Sequence, residues 1–159
     1  MSSMVDPHLG LVSYQQALLQ GLIHPRRCTV HKTLTVLMDD VPDGKRITYA
    51  MAEGTTVKVT VMYAPNGFFE GKPCFQVGYA VAESFRRQGL AARVLRMSVE
   101  ELTEGFRNVI PAFYIEAVVS LSNPASLRIA ETVIGGTRDQ IVDKHSGESA
   151  IRFTAAVGA

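Results

Sequence analysis

The sequence predicts one α/β (α+β) domain: a single mixed, largely antiparallel twisted sheet of about six to seven strands with helices on both faces. Three observations predict this class. Three extended segments follow one another over residues 46–82, an amphipathic helical pattern begins after Gly89, and an apolar segment at 113–119 precedes a second helix. With 159 residues, 47% of them hydrophobic and 19% charged, the chain suits one folded core over residues 1–159.

The N-terminal part predicts an amphipathic helix over roughly Val12–Ile23, stopped by Pro25. Residues 28–41 leave two alternatives open. Their Thr-Leu-Thr-Val-Leu-Met run suits a strand, whereas the length and flanks of the segment also allow a helix.

A β-hairpin is predicted from Ile47–Met51 and Val57–Val61, with Gly54 as the break between them. The sequence Pro65-Asn66-Gly67 is a turn signal, and a third strand is expected over Phe75–Ala82. These segments predict three antiparallel strands in succession.

The hydrophobic period changes to that of a helix after Gly89, and a helix of about four turns is expected. Its apolar face consists of Ala91, Val94, Leu95, Ser98, Leu102 and Phe106. The following segment, Phe113–Val119, is apolar on both faces apart from Glu116, which predicts a central strand covered by helices on both sides.

Asn123 and Pro124 read as the N-cap and first residue of another helix, which Gly135-Gly136 ends. Two closing strands are predicted at Thr137–Val142 and Ser149–Ala155, joined by a turn at 145–147.

Composition excludes several classes of protein. The net charge of +1, from 16 basic and 15 acidic residues, gives no overall field for nucleic acid or an anionic membrane. No apolar run reaches membrane-spanning length and the N-terminus lacks a secretory pattern, so a cytoplasmic location is expected. Cys28, Cys74 and the four histidines show no metal-ligand spacing, so no metal is expected.

The chemistry of the chain is expected in the loop Arg86-Arg87-Gln88-Gly89-Leu90-Ala91, between a strand ending at Val81 and the amphipathic helix. A helix N-terminus presents unpaired N–H groups with partial positive charge, and glycine lets an anion approach the backbone. The loop therefore suits a diphosphate. The pattern alone is also that of an ordinary strand-to-helix turn with surface arginines.

This loop reads Arg-x-x-Gly-x-Ala and resembles the Gln/Arg-x-x-Gly-x-Gly/Ala signature of the GNAT superfamily of N-acetyltransferases. A second block, Asn123-x-x-Ser126 followed by Ile129-Ala130-Glu131, resembles the next strand-helix unit of that superfamily, most closely in the branch that acetylates ribosomal-protein N-termini. The resemblance covers roughly residues 46–137. It departs at Arg87, where relatives often have Gly, and at Gly136, where many have Phe.

The resemblance implies an acetyl-CoA-dependent enzyme that transfers acetyl directly to a primary amine of a protein, peptide or small molecule. It also implies that two neighbouring strands splay at a bulge near residues 80–82, where the pantetheine arm inserts. The residues implied in cofactor binding are Val81, Ala82, Arg86, Arg87, Gln88, Gly89, Leu90, Ala91, Asn123 and Ser126.

Glu116 and Ser126 are the candidate catalytic residues. Glu116 is predicted as the general base because burial raises the pKa of a carboxyl, and its alternative is a structural hydrogen bond or a solvent-facing strand end. Ser126 would assist thiolate departure by resemblance, and its alternative is helix capping. Ala130 stands where many relatives have a tyrosine that protonates the leaving thiolate. Tyr79 and Tyr114 are expected to be packing residues.

Two other functions compete with the enzyme. A non-catalytic acyl-CoA-binding regulatory module is favoured by Ala130 and opposed by Asn123 and Ser126. A nucleic-acid binder is weakly supported, because basic excess and interleaved aromatic residues are both lacking. Association into a homodimer through sheet edges or helices is left open.

Overall fold

A computed structural model describes residues 6–144 and 146–158 of the chain. The helices are α1 (Pro7–Leu19), α2 (Leu90–Phe106) and α3 (Pro124–Ile129), the last continued by a π-helical segment at Ala130–Ile134. The strands are β1 (Arg26–Arg27), β2 (Leu34–Val41), β3 (Gly44–Glu53), β4 (Thr56–Phe69), β5 (Lys72–Val81), β6 (Ala112–Ser120), β7 (Thr137–Val142) and β8 (Ser149–Gly158).

All eight of these strands form one sheet in the order β1-β2-β3-β4-β5-β6-β8-β7. Neighbours are antiparallel except β5 and β6, which run parallel. The predicted mixed, largely antiparallel sheet is confirmed, with slightly more strands than expected. The ambiguous segment 28–41 contains strand β2, and His145 of the predicted final turn lies outside the described residues.

Helices pack on both faces, as predicted. Tyr49 of β3 belongs to the core cluster under α2, whereas the next residue, Ala50, packs with Leu11 and Tyr14 of α1. Consecutive strand residues point to opposite faces, so α1 and α2 lie on opposite sides of the sheet. The π-helical segment shares the α2 side, because Ala130 belongs to the same cluster as Tyr49.

Helix α1 begins and ends earlier than predicted. Asp6 caps it by accepting hydrogen bonds from the backbone N–H of His8 (2.8 Å) and Leu9 (3.4 Å), and Pro7 takes the first helical position. At the C-terminus, Gly21 has a φ of 69° and Leu22 N–H donates to the Ala17 carbonyl (2.9 Å). This Schellman geometry ends the helix before Pro25 is reached.

The predicted turn at Pro65-Asn66-Gly67 is wrong: these residues lie inside β4, where the pairing with β5 shifts register between Pro65 and Phe68. The chain reverses instead at Glu70-Gly71, whose φ angles are 49° and 79°. Two successive residues with positive φ match the right-handed twist of a hairpin, so the two-residue turn forms there and the Pro-Asn-Gly sequence becomes a bulge.

Candidate active site

The candidate site is an opening between β5 and β6. These strands pair over Cys74–Gln76 and Tyr114–Glu116, and then separate although β5 continues to Val81 and β6 to Ser120. The opening is part of a cavity of about 910 Å³. The predicted splay is present. The predicted bulge near residues 80–82 is wrong, because β4 and β5 stay in register from Val59–Val81 to Pro65–Phe75.

The β5 backbone offers hydrogen-bonding groups to this opening. Ala82 N–H donates to the Lys58 carbonyl beside β4 (2.8 Å). Neighbouring residues of a strand direct their main-chain groups to opposite sides, so those of Val81 and Tyr79 face away from β4 and into the opening. The Val81 carbonyl accepts a hydrogen bond from Arg86 Nε there (3.2 Å). An extended ligand can therefore pair with β5 as a strand would.

The loop between β5 and α2 forms the other end of the cavity. Gly89 is the N-cap of α2 with a φ of 72°, and within the described residues no side chain caps this helix. Arg87 also has a positive φ, 65°, which is uncommon for a residue with a Cβ. The first N–H groups of α2 are thus left for an anion.

The cavity brings together the predicted cofactor residues, except two. Ala82 and Gln88 do not line it: the Ala82 N–H is used by Lys58, and Gln88 is exposed. The lining residues from the predicted set are Val81, Arg86, Arg87, Gly89, Leu90, Ala91, Asn123 and Ser126.

Of the wall residues that were not predicted, three groups bear on the chemistry of the site. Arg128 of α3 lines the cavity and adds a third arginine to Arg86 and Arg87. Asp6–His8 at the start of α1 also line it, and Arg86 Nη2 lies 3.5 Å from His8 Nδ1. The Asp6-Pro7 capping signal could have located this helix start in the sequence, but not its proximity to residue 86.

Tyr79 is the third of these groups, and it bridges the opening from β5 to α3. Its hydroxyl donates to the Ser126 carbonyl (3.0 Å) and accepts from Ser126 Oγ (3.1 Å). Ser126 is held in turn by Asn123, whose Oδ1 accepts from the Ser126 N–H (3.2 Å) as predicted for an N-cap. Burial raises the pKa of the Tyr79 hydroxyl, and the bond with Ser126 opposes this.

Glu116 lies where β5 and β6 part, opposite Gln76 in the last pair. Its side chain is half-buried, and Oε1 accepts a hydrogen bond from Asn66 Nδ2 (3.3 Å). Burial raises the pKa of this carboxyl, and the charge of Arg152 partly offsets the effect. Glu116 does not line the 910 Å³ cavity itself.

Strand β6 was predicted to be covered on both faces, and this prediction is wrong. Phe113, Ile115, Ala117 and Val119 are buried under the α2 side, whereas the other face, which carries Glu116, is only partly buried. Glu116 is consequently reachable from solvent on the α1 side of the sheet.

The described residues contain no cluster of three or more His, Cys, Asp or Glu side chains that could hold a metal. Helices α1 to α3 also include none with the length and apolar character needed to cross a membrane.

A mixed sheet that opens between two parallel strands, beside a glycine-capped helix N-terminus, has the architecture implied by the GNAT resemblance. Comparison with solved structures confirms that this chain has the GNAT fold. The GNAT-family acetyltransferase from Streptococcus pneumoniae aligns with a TM-score of 0.55 at 11% identity, over 71% of this chain and 67% of that chain.

Two further structures are similar. A variant of the spermidine N-acetyltransferase from Vibrio cholerae aligns with a TM-score of 0.55 at 10% identity, over 70% of this chain and 64% of that chain. The ribosomal-protein-S5-alanine acetyltransferase from Vibrio fischeri aligns with a TM-score of 0.53 at 14% identity, over 69% and 60%. This chain thus spans about two thirds of those proteins or less. No family model and no curated protein matches the sequence.

Proposed function

We propose that this protein is an acetyl-CoA-dependent N-acetyltransferase that transfers the acetyl group directly to a primary amine of a protein, peptide or small molecule. One observation carries the proposal: the opening between β5 and β6 runs from the N-terminus of α2, which no side chain of the described residues caps, to the last β5–β6 pair, Gln76 and Glu116. The similar solved structures are named as acetyltransferases. One is named for spermidine and another for an alanine of ribosomal protein S5, which supports an amine acceptor.

The dimensions of β5 suit a thioester donor. Val81 lies five residues beyond Gln76 along the strand, roughly 17 Å at about 3.3 Å per residue. A diphosphate at the α2 N-terminus, with Arg87 and Arg128 nearby, would direct an extended arm along β5 towards Gln76. The acyl group would then lie close to Glu116.

The residues supply the proton transfers that the reaction needs. The amine attacks the thioester carbonyl, and a backbone N–H of β5 stabilises the developing oxyanion, an effect worth roughly 3 kcal/mol. Glu116 takes the proton of the amine. When the C–S bond breaks, the sulfur keeps the electron pair of that bond and takes a proton from the Tyr79 hydroxyl, which accepts a hydrogen bond from Ser126 Oγ. This pair of hydroxyls takes the role of the tyrosine that many relatives have at the position of Ala130.

A second candidate function is a non-catalytic acyl-CoA-binding regulatory module. It is favoured by Ala130, whose methyl group is buried in the core and has no proton to give. The two candidates differ in acetyl transfer but share cofactor binding. A cytoplasmic location and a homodimer remain predictions.

Calorimetric titration with CoA, and with CoA lacking the 3′-phosphate, tests the shared step. Isotopic acetyl transfer to a panel of amines tests the enzyme. We expect binding of CoA and labelled product. Binding without transfer to any amine would favour the regulatory module, and the absence of binding to either ligand would refute both.

A further inference from the structure

Asn66 is hydrogen-bonded to Glu116 across strand β5. Its side-chain Nδ2 donates to Glu116 Oε1 at 3.3 Å, although the two residues belong to β4 and β6. These strands flank β5 on opposite sides, so their backbones lie roughly 10 Å apart, twice the usual spacing of neighbouring strands. Both side chains must therefore extend over β5 to meet. The function proposed above uses Glu116 and leaves Asn66 without a role.

The bulge in β4 places Asn66 in this position. The pairing of β4 with β5 shifts register between Pro65 and Phe68, so Asn66 and Gly67 together face one residue of β5, Cys74. Gly67 takes the left-handed conformation, with a φ of 69°, whereas Asn66 is not among the described residues with positive φ. Bulges often redirect a side chain beside an active site. The backbone at Asn66 therefore accepts other residues, and the amide is what its side chain contributes.

The hydrogen bond fixes the orientation of the Glu116 carboxylate. Oε1 is occupied by the Asn66 amide, and no hydrogen bond from another described residue reaches Oε2. The Glu116 side chain is half-buried on the α1 side of the sheet, so without this contact it would be free to turn towards solvent. A donated N–H also favours the ionised form of a carboxyl, which is the form that accepts a proton.

The charged groups around Glu116 do not orient it in the same way. Burial raises the pKa of the Glu116 carboxyl, and the charge of Arg152 on β8 partly lowers it. Arg152 Nη2 is nevertheless paired with Asp139 Oδ2 at 3.3 Å, so Asp139 engages this guanidinium. Helix α1 carries no Asp, Glu, Lys or Arg side chain, and its His8 lies beside Arg86 at 3.5 Å.

Two further ionisable side chains lie near Glu116 on β5 and β6. Burial raises the pKa of the Cys74 thiol to about 11, with the charge of Glu116 adding to the effect, so Cys74 stays uncharged near neutral pH. Tyr114, two residues before Glu116, donates its hydroxyl to Glu70 Oε2 at 3.0 Å. Asn66 is therefore the described residue that donates a hydrogen bond to the Glu116 side chain.

We propose that Asn66 is a positioning residue for acetyl transfer: its amide holds the Glu116 carboxylate over β5, with Oε2 left to take the proton of the attacking amine. This inference rests on the proposed function, because it takes Glu116 as the general base. Asn66 itself exchanges no proton and acts through Glu116.

The titration of Glu116 tests the contact independently of turnover. The probe is the side-chain carboxyl signal in the NMR spectrum of the whole ¹³C-labelled protein, assigned with Glu116→Gln. Asn66→Ala removes the donor and should raise the pKa of Glu116 above that in the unmodified protein. Asn66→Asp keeps the size of the side chain but sets a second carboxylate beside Glu116, so it should raise this pKa further.

The pH dependence of kcat/KM tests the role in the reaction, with the most active amine of the transfer panel as acceptor. A base with a raised pKa is ionised only at higher pH, so the acidic limb of the profile should move upwards in Asn66→Ala. We expect a loss of about tenfold on that limb and a smaller loss on the alkaline plateau. Asn66→Asp should lose more on the acidic limb than Asn66→Ala.

Asn108→Ala is the matched control, because Asn108 is an exposed asparagine that lines neither the cavity between β5 and β6 nor the surface around Asn66. It should change neither the titration of Glu116 nor the profile. An unchanged Glu116 titration in Asn66→Ala, or an acidic limb that coincides with that of the unmodified protein, would overturn the inference. Failure of the proposed function gives a different result, namely no acetyl transfer to any amine by the unmodified protein, and the positioning role would fall with it.

Discussion

Glu116 links the pH of the solution to the stability of the fold. Because burial raises the pKa of its carboxyl, the folded protein keeps this proton at pH values where the unfolded chain has lost it. Its contribution is complete below the unfolded pKa and is lost as pH rises through the raised folded pKa. The unmodified protein should therefore lose stability relative to Glu116→Gln across that window, as measured by urea unfolding at several pH values. A constant difference would contradict the shift.

Tyr79 is predicted to act on the leaving thiolate. Tyr79→Phe removes the hydroxyl that meets Ser126 Oγ and should lower kcat by about 10²-fold, the lower range for general acid catalysis, with little change in CoA affinity. Tyr114→Phe is the control, because the Tyr114 hydroxyl donates to the exposed Glu70 and Tyr114 does not line the cavity between β5 and β6. Steady-state kinetics and calorimetry separate the two effects. Equal kcat values in the two variants would remove Tyr79 from the reaction.

Sequence reasoning located the residues of the site that carry a local signal and missed those that depend on distant partners. Gly89 and Asn123 were predicted because glycine-capped and Asn-capped helix starts have short patterns. Tyr79 reads as an ordinary strand aromatic, and its partner Ser126 lies 47 residues away. Arg128 is likewise recognisable only once α3 is placed across the opening from β5.

The loop before α2 is predicted to bind phosphate through its backbone. A Cβ at Gly89 meets no atom within 4 Å, so Gly89→Val should preserve the fold, with roughly 1–2 kcal/mol of left-handed strain. The side chain would nevertheless stand before the free N–H groups of α2. We expect CoA affinity to fall at least tenfold by calorimetry.

Gly21→Val is the control for Gly89→Val. Gly21 has a similar φ of 69° and open space around it, but it ends α1 away from the cavity. It should show comparable destabilisation in urea with normal CoA affinity. A normal affinity in Gly89→Val as well would exclude the loop from phosphate binding.

The errors at the level of elements have a common cause, which is competition between two local signals. Pro65-Asn66-Gly67 and Glu70-Gly71 both allow a turn, and the pairing of β4 with β5 up to Phe69 and Lys72 selects the second. Similarly, the glycine at position 21 ends α1 before Pro25 can. Propensity alone does not rank such signals, because register and packing decide between them.

The architecture of the whole molecule was predictable because it depends on the periodicity of apolar residues along the sequence. The spacing of apolar residues changes from every second residue before Val81 to a helical spacing after Gly89. Such a pattern predicts a sheet with helices packed on it, whatever the order of the strands. Strand order is less accessible from sequence. The separation of β5 and β6 after Gln76 and Glu116 creates the site, yet it arises from contacts between segments about 40 residues apart, which no local pattern specifies.

Ligand binding should be visible in the stability of the entire domain. If CoA binds the folded state alone, a concentration of 100 Kd stabilises it by about 2.7 kcal/mol. For a chain of this size, that corresponds to a rise in Tm of roughly 5–10 °C. Differential scanning fluorimetry should show the rise in the unmodified protein and in Gly21→Val, and little of it in Gly89→Val. Equal shifts in all three would place the bound CoA away from the α2 N-terminus, while no shift in the unmodified protein would remove the donor site altogether.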